Sequence, residues 1–283
     1  MAKRESTLLN ETAPTGDVVD IRQAGPTGTL SRGLAIMDVL LASSQPLSLA
    51  EVASKVELDQ STTLRLLRAL EMERQVLRLS DGKRYLASPK ALRPLSLFHP
   101  LEQLRREAAS MLRDLANKLS KTVVLVVYFG QERVVLDVLQ SPGSLSPYYE
   151  SWLQGPLHAS GPGKALLLSM NDASRKAALG AEPYAAFTDA TIRSWDEIQC
   201  NLQAAAPHGV ISVCDEHYDG LTALAANFYG DTRNALGCIV VTGHSSELDV
   251  ETQQWVAKEL ANCARLMPFQ AASLRQLELL SGR

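Results

Sequence analysis

The stretch Leu157-His158-Ala159-Ser160-Gly161-Pro162-Gly163-Lys164-Ala165-Leu166 sets a histidine, a serine and a lysine among glycines. Nucleotide-binding and hydrolytic sites both use such residues, so each chemistry can be tested by spacing. A phosphate loop requires G-x-x-x-x-G-K-[ST]. Here His158 stands at the first glycine position and Ala165 at the hydroxyl position, so the pattern fails twice. A nucleophile elbow requires G-x-S-x-G, and His158 again replaces the first glycine. Metal chemistry would draw on His208, Cys214, Asp215, Glu216 and His217. If that segment is a strand, only Asp215 and His217 share a face, which is too few ligands. The cysteines at 200, 214, 238 and 263 form no zinc pattern. They are expected to be buried reduced thiols in a reducing compartment. No catalytic residue, cofactor or metal is expected.

A second group of residues has a different chemistry. Thr63, Leu66, Leu67 and Leu70 recur at helical spacing and form an inward stripe. Gln60, Ser61, Leu64, Arg65 and Arg68 then fall on other faces, with Thr62 beside them. Arg reads guanine and Gln reads adenine in the major groove of DNA, and Arg68, one turn on, suits phosphate. The elements needed to present such a helix are legible around it. Ser48 and Glu51 form a capping box for a helix over Leu49–Val56. The break Glu57-Leu58-Asp59 follows, then a helix over Gln60–Arg74. Short helix, three-residue turn and second helix make a helix-turn-helix. Val76–Leu79 and Arg84–Ala87 read as strands across the turn Ser80-Asp81-Gly82-Lys83. That hairpin is a wing with Lys83 and Arg84 at its tip.

The rest of the chain divides in the same way. Residues 1–28 are rich in Thr, Gly, Pro and Asp and read as a flexible tail. The head spans 29–90 and opens with a helix over Leu30–Ala42, whose apolar face is Leu34, Met37, Leu40 and Leu41. Residues 91–120 read as a linker region. It holds an amphipathic helix, Leu101–Ser120, that also offers a dimer surface. In 121–283, β-rich runs at Thr122–Phe129, Arg133–Gln140, Ser144–Tyr149, Val210–His217, Thr222–Tyr229 and Ala235–Thr242 alternate with helical segments. Those are Gly163–Met170, Asp172–Leu179, Ser194–Ala206, Leu248–Leu266 (ending before Pro268) and Phe269–Leu280. Strands meeting across hairpins with helices grouped between them indicate an α+β fold with an antiparallel sheet.

Composition agrees. The 283 residues are 46% hydrophobic and 21% charged, enough for two packed cores. The formal net charge is −3, which excludes a uniformly basic nucleic-acid coat. Residues 29–90, however, carry nine Lys and Arg against seven Asp and Glu, leaving −5 for the remainder. The sign of that asymmetry suits a DNA-binding head on an acidic body. The first thirty residues hold no apolar run like a signal peptide, and no stretch approaches the roughly 20 apolar residues of a membrane span. A cytoplasmic protein is expected. The competing reading is a small-molecule sensor whose winged-helix head binds protein.

The order of these motifs resembles the IclR family of bacterial regulators. Ser61-Thr62-Thr63-Leu64-Arg65-Leu66-Leu67 is similar to the family's S-T-V-x-R-L-L recognition helix. Leu157–Leu166 is similar to its L-H-A-(S/T)-(A/G)-x-G-K-A-L effector motif. Cys214-Asp215-Glu216 with Gly220, and Val241-Thr242-Gly243, match two later signatures. The likeness runs from Leu30 to Leu266. It departs at Glu57, where the family commonly has Gly, and at Val240 and Asn227, where some relatives carry small polar or thiol side chains. The resemblance implies an N-terminal winged helix-turn-helix on double-stranded promoter DNA and a C-terminal GAF-like effector domain. It also implies a homodimer or homotetramer and a pocket on one sheet face, drawing on Gly161, Pro162, Asp215, Leu224, Asn227, Val240 and Thr242. Backbone amides of the Ser160-Gly161-Pro162-Gly163 turn, opening a helix, would seat the carboxylate of a small organic or aromatic acid. Alternatively, those glycines serve close helix–sheet packing.

Overall fold

A computed structural model describes residues 28–43, 45–79, 83–92, 96–141, 153 and 155–281. The tail up to residue 27, wing residues 80–82 and the strand expected at Ser144–Tyr149 lie outside the described residues. The chain divides between Pro94 and Leu95 into two compact units.

The first unit is built from α1 (Thr29–Ala42), β1 (Leu47–Ser48), α2 (Leu49–Lys55), α3 (Gln60–Met72), β2 (Val76–Arg78) and β3 (Arg84–Ala87). The antiparallel sheet has the order β1-β3-β2. The two-residue β1 was too short to show a period in the sequence. Ser48 caps α2 as expected: its hydroxyl accepts from the Glu51 amide, and Glu51 accepts from the Ser48 amide at 2.7 Å. The core joins Ile36, Leu40, Val52, Leu67, Val76 and Tyr85. The inward face of α1 is rotated from expectation. Gly33, Ile36, Met37 and Leu40 are buried, whereas Leu34 and Leu41 are exposed. Leucines occur nearly all round this helix, so leucine spacing alone could not choose its face.

The second unit holds α4 (Pro100–Leu119), β4 (Thr122–Phe129), β5 (Glu132–Leu139), α5 (Gly161–Leu168), α6 (Asp172–Leu179), α7 (Trp195–Ala205), β6 (Val210–Cys214), β7 (Leu221–Tyr229), β8 (Ala235–His244), α8 (Val250–Gln270) and α9 (Leu274–Ser281). Its five strands are antiparallel in the order β5-β4-β8-β7-β6. Each face of the sheet has its own core. Val123, Leu125, Leu224 and Ile239 pack with α4, α8 and α9. Val124, Val126, Ala225 and Val240 pack with α5 and α7. Alternation along a strand sends successive side chains to these opposite cores.

Two expectations are corrected here. The apolar stripe of α4, with Leu104, Ala108, Leu112, Leu115 and Leu119, is buried within this unit. Its amphipathicity comes from covering the sheet, and that stripe does not supply a dimer surface. Further on, α8 runs through Pro268 to Gln270 instead of stopping before it. Pro268, the third residue from the end of α8, removes one backbone donor. The Ala271 amide still bonds the Met267 carbonyl at 2.9 Å, and α9 consequently begins only at Leu274. Among the described residues no helix is long and apolar enough to cross a membrane.

Candidate DNA-reading surface and effector face

On α3 the inward residues Thr63, Leu66 and Leu67 are buried, which turns the opposite side outward. Gln60, Ser61, Arg65 and Arg68 are exposed; Thr62 and Leu64 are half-buried. Ser61, Arg65 and Arg68 follow i, i+4, i+7 spacing and form one stripe. Glu57, in the turn before α3, takes φ +54°, the left-handed conformation for which glycine is the natural residue. Asp59, unmarked by the sequence reading, caps α3. Its carboxylate accepts from the Thr62 amide at 2.8 Å and the Ser61 hydroxyl at 2.5 Å. The signal was available, since Asp directly before a periodic helical segment is a strong N-cap. On the wing Lys83 and Arg84 are exposed. Arg84 also donates to the Pro46 carbonyl at 3.3 Å, which ties it to the turn before α2.

The second unit brings together part of the expected pocket. Gly161 rests on the sheet: a Cβ there would lie 3.2 Å from that of Ala223 and 3.6 Å from Val240. At Gly163 a Cβ would come within 2.5 Å of the Leu157 carbonyl oxygen. Both glycines therefore serve close approach. Ser160 caps α5, accepting from the Gly163 amide at 3.2 Å and donating to the Pro156 carbonyl at 2.5 Å. Pro162 has no N–H and that of Gly163 is occupied, so the turn offers a carboxylate fewer backbone donors than expected.

Val240 and Thr242 lie on the α5 side and are fully buried. Asn227 shares that face, but its amide is a clamp. It accepts from the Tyr128 hydroxyl at 2.9 Å and donates to the Ala165 carbonyl at 2.6 Å. Leu224 is corrected: it packs in the α4 and α8 core on the other face. Ala223 and Ala225 are the β7 residues that meet Gly161. Asp215 is also placed elsewhere. Strand β6 stops at Cys214, Asp215 turns to φ +56°, and its carboxylate accepts from Ser245 at 2.6 Å. It fastens the turn to the end of β8. Because the strand ends there, Asp215 and His217 are not paired by strand alternation. Among the described residues no three His, Cys, Asp or Glu stand close enough to hold a metal.

Three features escaped the sequence reading. Buried Arg133 on β5 donates to the Ser160 hydroxyl at 3.2 Å and to the Leu153 and Gly155 carbonyls. Lys164, fully buried, pairs with Glu216 at 2.6 Å and with Asn201 at 3.0 Å. Burial pulls the Lys164 pKa down and pushes that of Glu216 up, each opposed by their mutual attraction. Finally, His158, Tyr184, Phe187, His217 and Tyr218 form a run of ring contacts 4.1–5.7 Å apart. Burial first lowers the pKa of both histidines. Lys164 adds to this at His158, and His158 and Arg133 add to it at His217. The cysteines differ from expectation too. Cys238 and Cys263 are buried, their thiols pushed up to about 12, but Cys200 and Cys214 are exposed.

Residues 29–80 match the IclR helix-turn-helix domain, and residues 101–267 match the family described as bacterial transcriptional regulator IclR C-terminal. The chain belongs to the IclR family. It is 30% identical over 210 residues to the HTH-type transcriptional regulator TtgV of Pseudomonas putida, covering 73% of this chain and 78% of that one. Over 239 residues it is 26% identical to the glycerol operon regulatory protein of Streptomyces coelicolor, covering 84% and 93%. The Thermotoga maritima IclR structure superposes with a TM-score of 0.69 at 20% identity, over 86% of this chain and 98% of that one. An IclR homologue from Microbacterium hydrocarbonoxydans, complexed with 4-hydroxybenzoate, gives 0.69 at 17% identity over 84% and 99%. These agree with the α+β architecture. As an IclR-type transcriptional regulator the chain carries its DNA-binding helix-turn-helix in the first unit, where α2 and α3 lie.

Proposed function

We propose that this IclR-family regulator binds double-stranded promoter DNA through α3 and the wing, under control of a small organic acid held in its second unit. The observation that carries the DNA half is the outward stripe Ser61, Arg65, Arg68, opposite a buried face. Gln60, Thr62 and Leu64 complete the reading surface, while Lys83 and Arg84 meet phosphate. A two-half-site operator suits a homodimer or homotetramer, working in the cytoplasm without a catalytic step.

For the effector, the α5 side of the sheet supplies apolar walls and a buried cation. Ser160, Gly161, Pro162, Gly163, Val240 and Thr242 remain members of the proposed site, now with Arg133. Leu224, Asp215 and Asn227 leave it, for the reasons of facing and bonding given above. Arg133 already donates to Ser160, Leu153 and Gly155, and its positive charge beside Ser160 favours an anionic ligand. The aromatic acid bound by the Microbacterium homologue makes 4-hydroxybenzoate the first probe.

The test is binding to DNA upstream of the chain's own coding region, measured across salt concentrations with and without millimolar 4-hydroxybenzoate and a panel of related acids. Arg65→Ala should cost about 1–3 kcal/mol of specific affinity. Unchanged affinity with the fold intact would remove α3 as the reader. If no acid alters DNA affinity or melting temperature, the effector half is wrong.

A further inference from the structure

The outward stripe of α3 has a chemical polarity set by one hydrogen bond. Ser61 donates its hydroxyl proton to the Asp59 carboxylate at 2.5 Å. A hydroxyl has one O–H and two acceptor positions, so Ser61 turns only acceptors outward. Asp59 beside it, when ionised, accepts only. The bonds from Ser61 and the Thr62 amide hold the Asp59 carboxyl far below its usual range, so it is ionised at neutral pH. Four residues on, the exposed Arg65 offers donors alone. The stripe therefore begins with acceptors and continues with donors one turn later.

We propose that Asp59 and Ser61 read an exocyclic amine in the major groove, that of cytosine first, in the half-site whose guanine is read by Arg65. The inference rests on α3 being the recognition helix. Its ligand comes from the family match over residues 29–80, not from the helix end. N-terminal residues of a recognition helix are those that meet base edges. Cytosine shows a lone N4 donor there. Adenine sets its N7 acceptor beside its N6 donor, and guanine N7 and O6 and thymine O4 would face the Asp59 and Ser61 oxygens as acceptors. Four residues span about 6 Å of helix, so the cytosine and guanine should lie within about two base steps of each other.

The experiment is selection of bound sites from a random duplex library by the full-length protein, which requires no known operator. The wild type should enrich a motif pairing a cytosine with a nearby guanine. Asp59→Asn keeps the cap, because Asn caps as well as Asp. It adds an amine donor, so preference at the cytosine position should fall at least about fivefold and move toward adenine. The guanine position should not change. Ser61→Ala, which keeps the Thr62 amide bond that makes the cap but removes the hydroxyl bond to the same carboxylate, should flatten the same single position. A wild-type motif that neither folded variant alters at any position overturns the proposal and leaves α3 as reader. A wild type that enriches no motif overturns the recognition-helix reading itself, and this proposal with it.

Discussion

Glu57 shows how one side chain can sit against its backbone. Its φ of +54° is a conformation that costs a Cβ-bearing residue roughly 1 kcal/mol, and its side chain is exposed. Glu57→Gly should therefore raise the stability of the first unit by about 0.5–1 kcal/mol, read as a higher denaturant midpoint. A lower midpoint would mean that the Glu57 side chain contributes more than the strain removes. The opposite case is Lys164. With Glu216 it forms an ion pair in which both partners are almost wholly buried. Lys164→Met leaves a carboxylate in the interior and should cost about 3–5 kcal/mol. Adding Glu216→Leu should recover much of that loss in thermal denaturation. Absence of recovery would mean that Asn201 and the Glu216 backbone contacts matter more than the charges.

At the scale of elements, α4 carries the clearest test. Leu112 is fully buried in the core it shares with α8 and the sheet. Leu112→Ala should cost about 2–5 kcal/mol of second-unit stability, with the oligomeric state in sedimentation unchanged while the protein remains folded. Dissociation of a folded assembly would restore α4 as an interface. Most helices were legible because polar and apolar residues segregate by turn, as in α3 and α4. Faces of the central strands were not. Apart from Thr222 and Asn227, Thr222–Tyr229 carries apolar residues on both sides, as strands covered on both faces do, so nothing in the letters separated Leu224 from Ala223 and Ala225. The effector motif was legible as a motif, but its polar partners were not. Arg133 and Glu216 lie 27 residues before and 56 after Ser160, and only the sheet order brings the first of them to it. Asp215 and Glu216 stand side by side in the signature, and the backbone turn at Asp215 hands the inward position to Glu216.

Across the whole molecule, charge is divided unevenly, with the positive excess in residues 29–90 and the negative excess elsewhere. DNA affinity should fall linearly on a logarithmic salt scale, and replacing Lys83 and Arg84 together by Ala should flatten that line by about one to two units. A loss confined to one operator sequence would contradict phosphate contact.

The strand order of the large sheet sets a problem of timing. Strand β4, Thr-Val-Val-Leu-Val-Val-Tyr-Phe, is apolar from end to end after its first residue, and one of its two neighbours is β8. More than a hundred residues separate the two strands in sequence. At bacterial translation speeds the β4–β5 hairpin waits roughly 5–20 s on the ribosome before β8 is made. During that interval it exposes a β-prone edge of the kind that recruits other chains. Nascent or C-terminally truncated copies of this regulator should therefore lean on chaperones, and truncation before Ala235 should yield aggregates rather than a smaller folded domain.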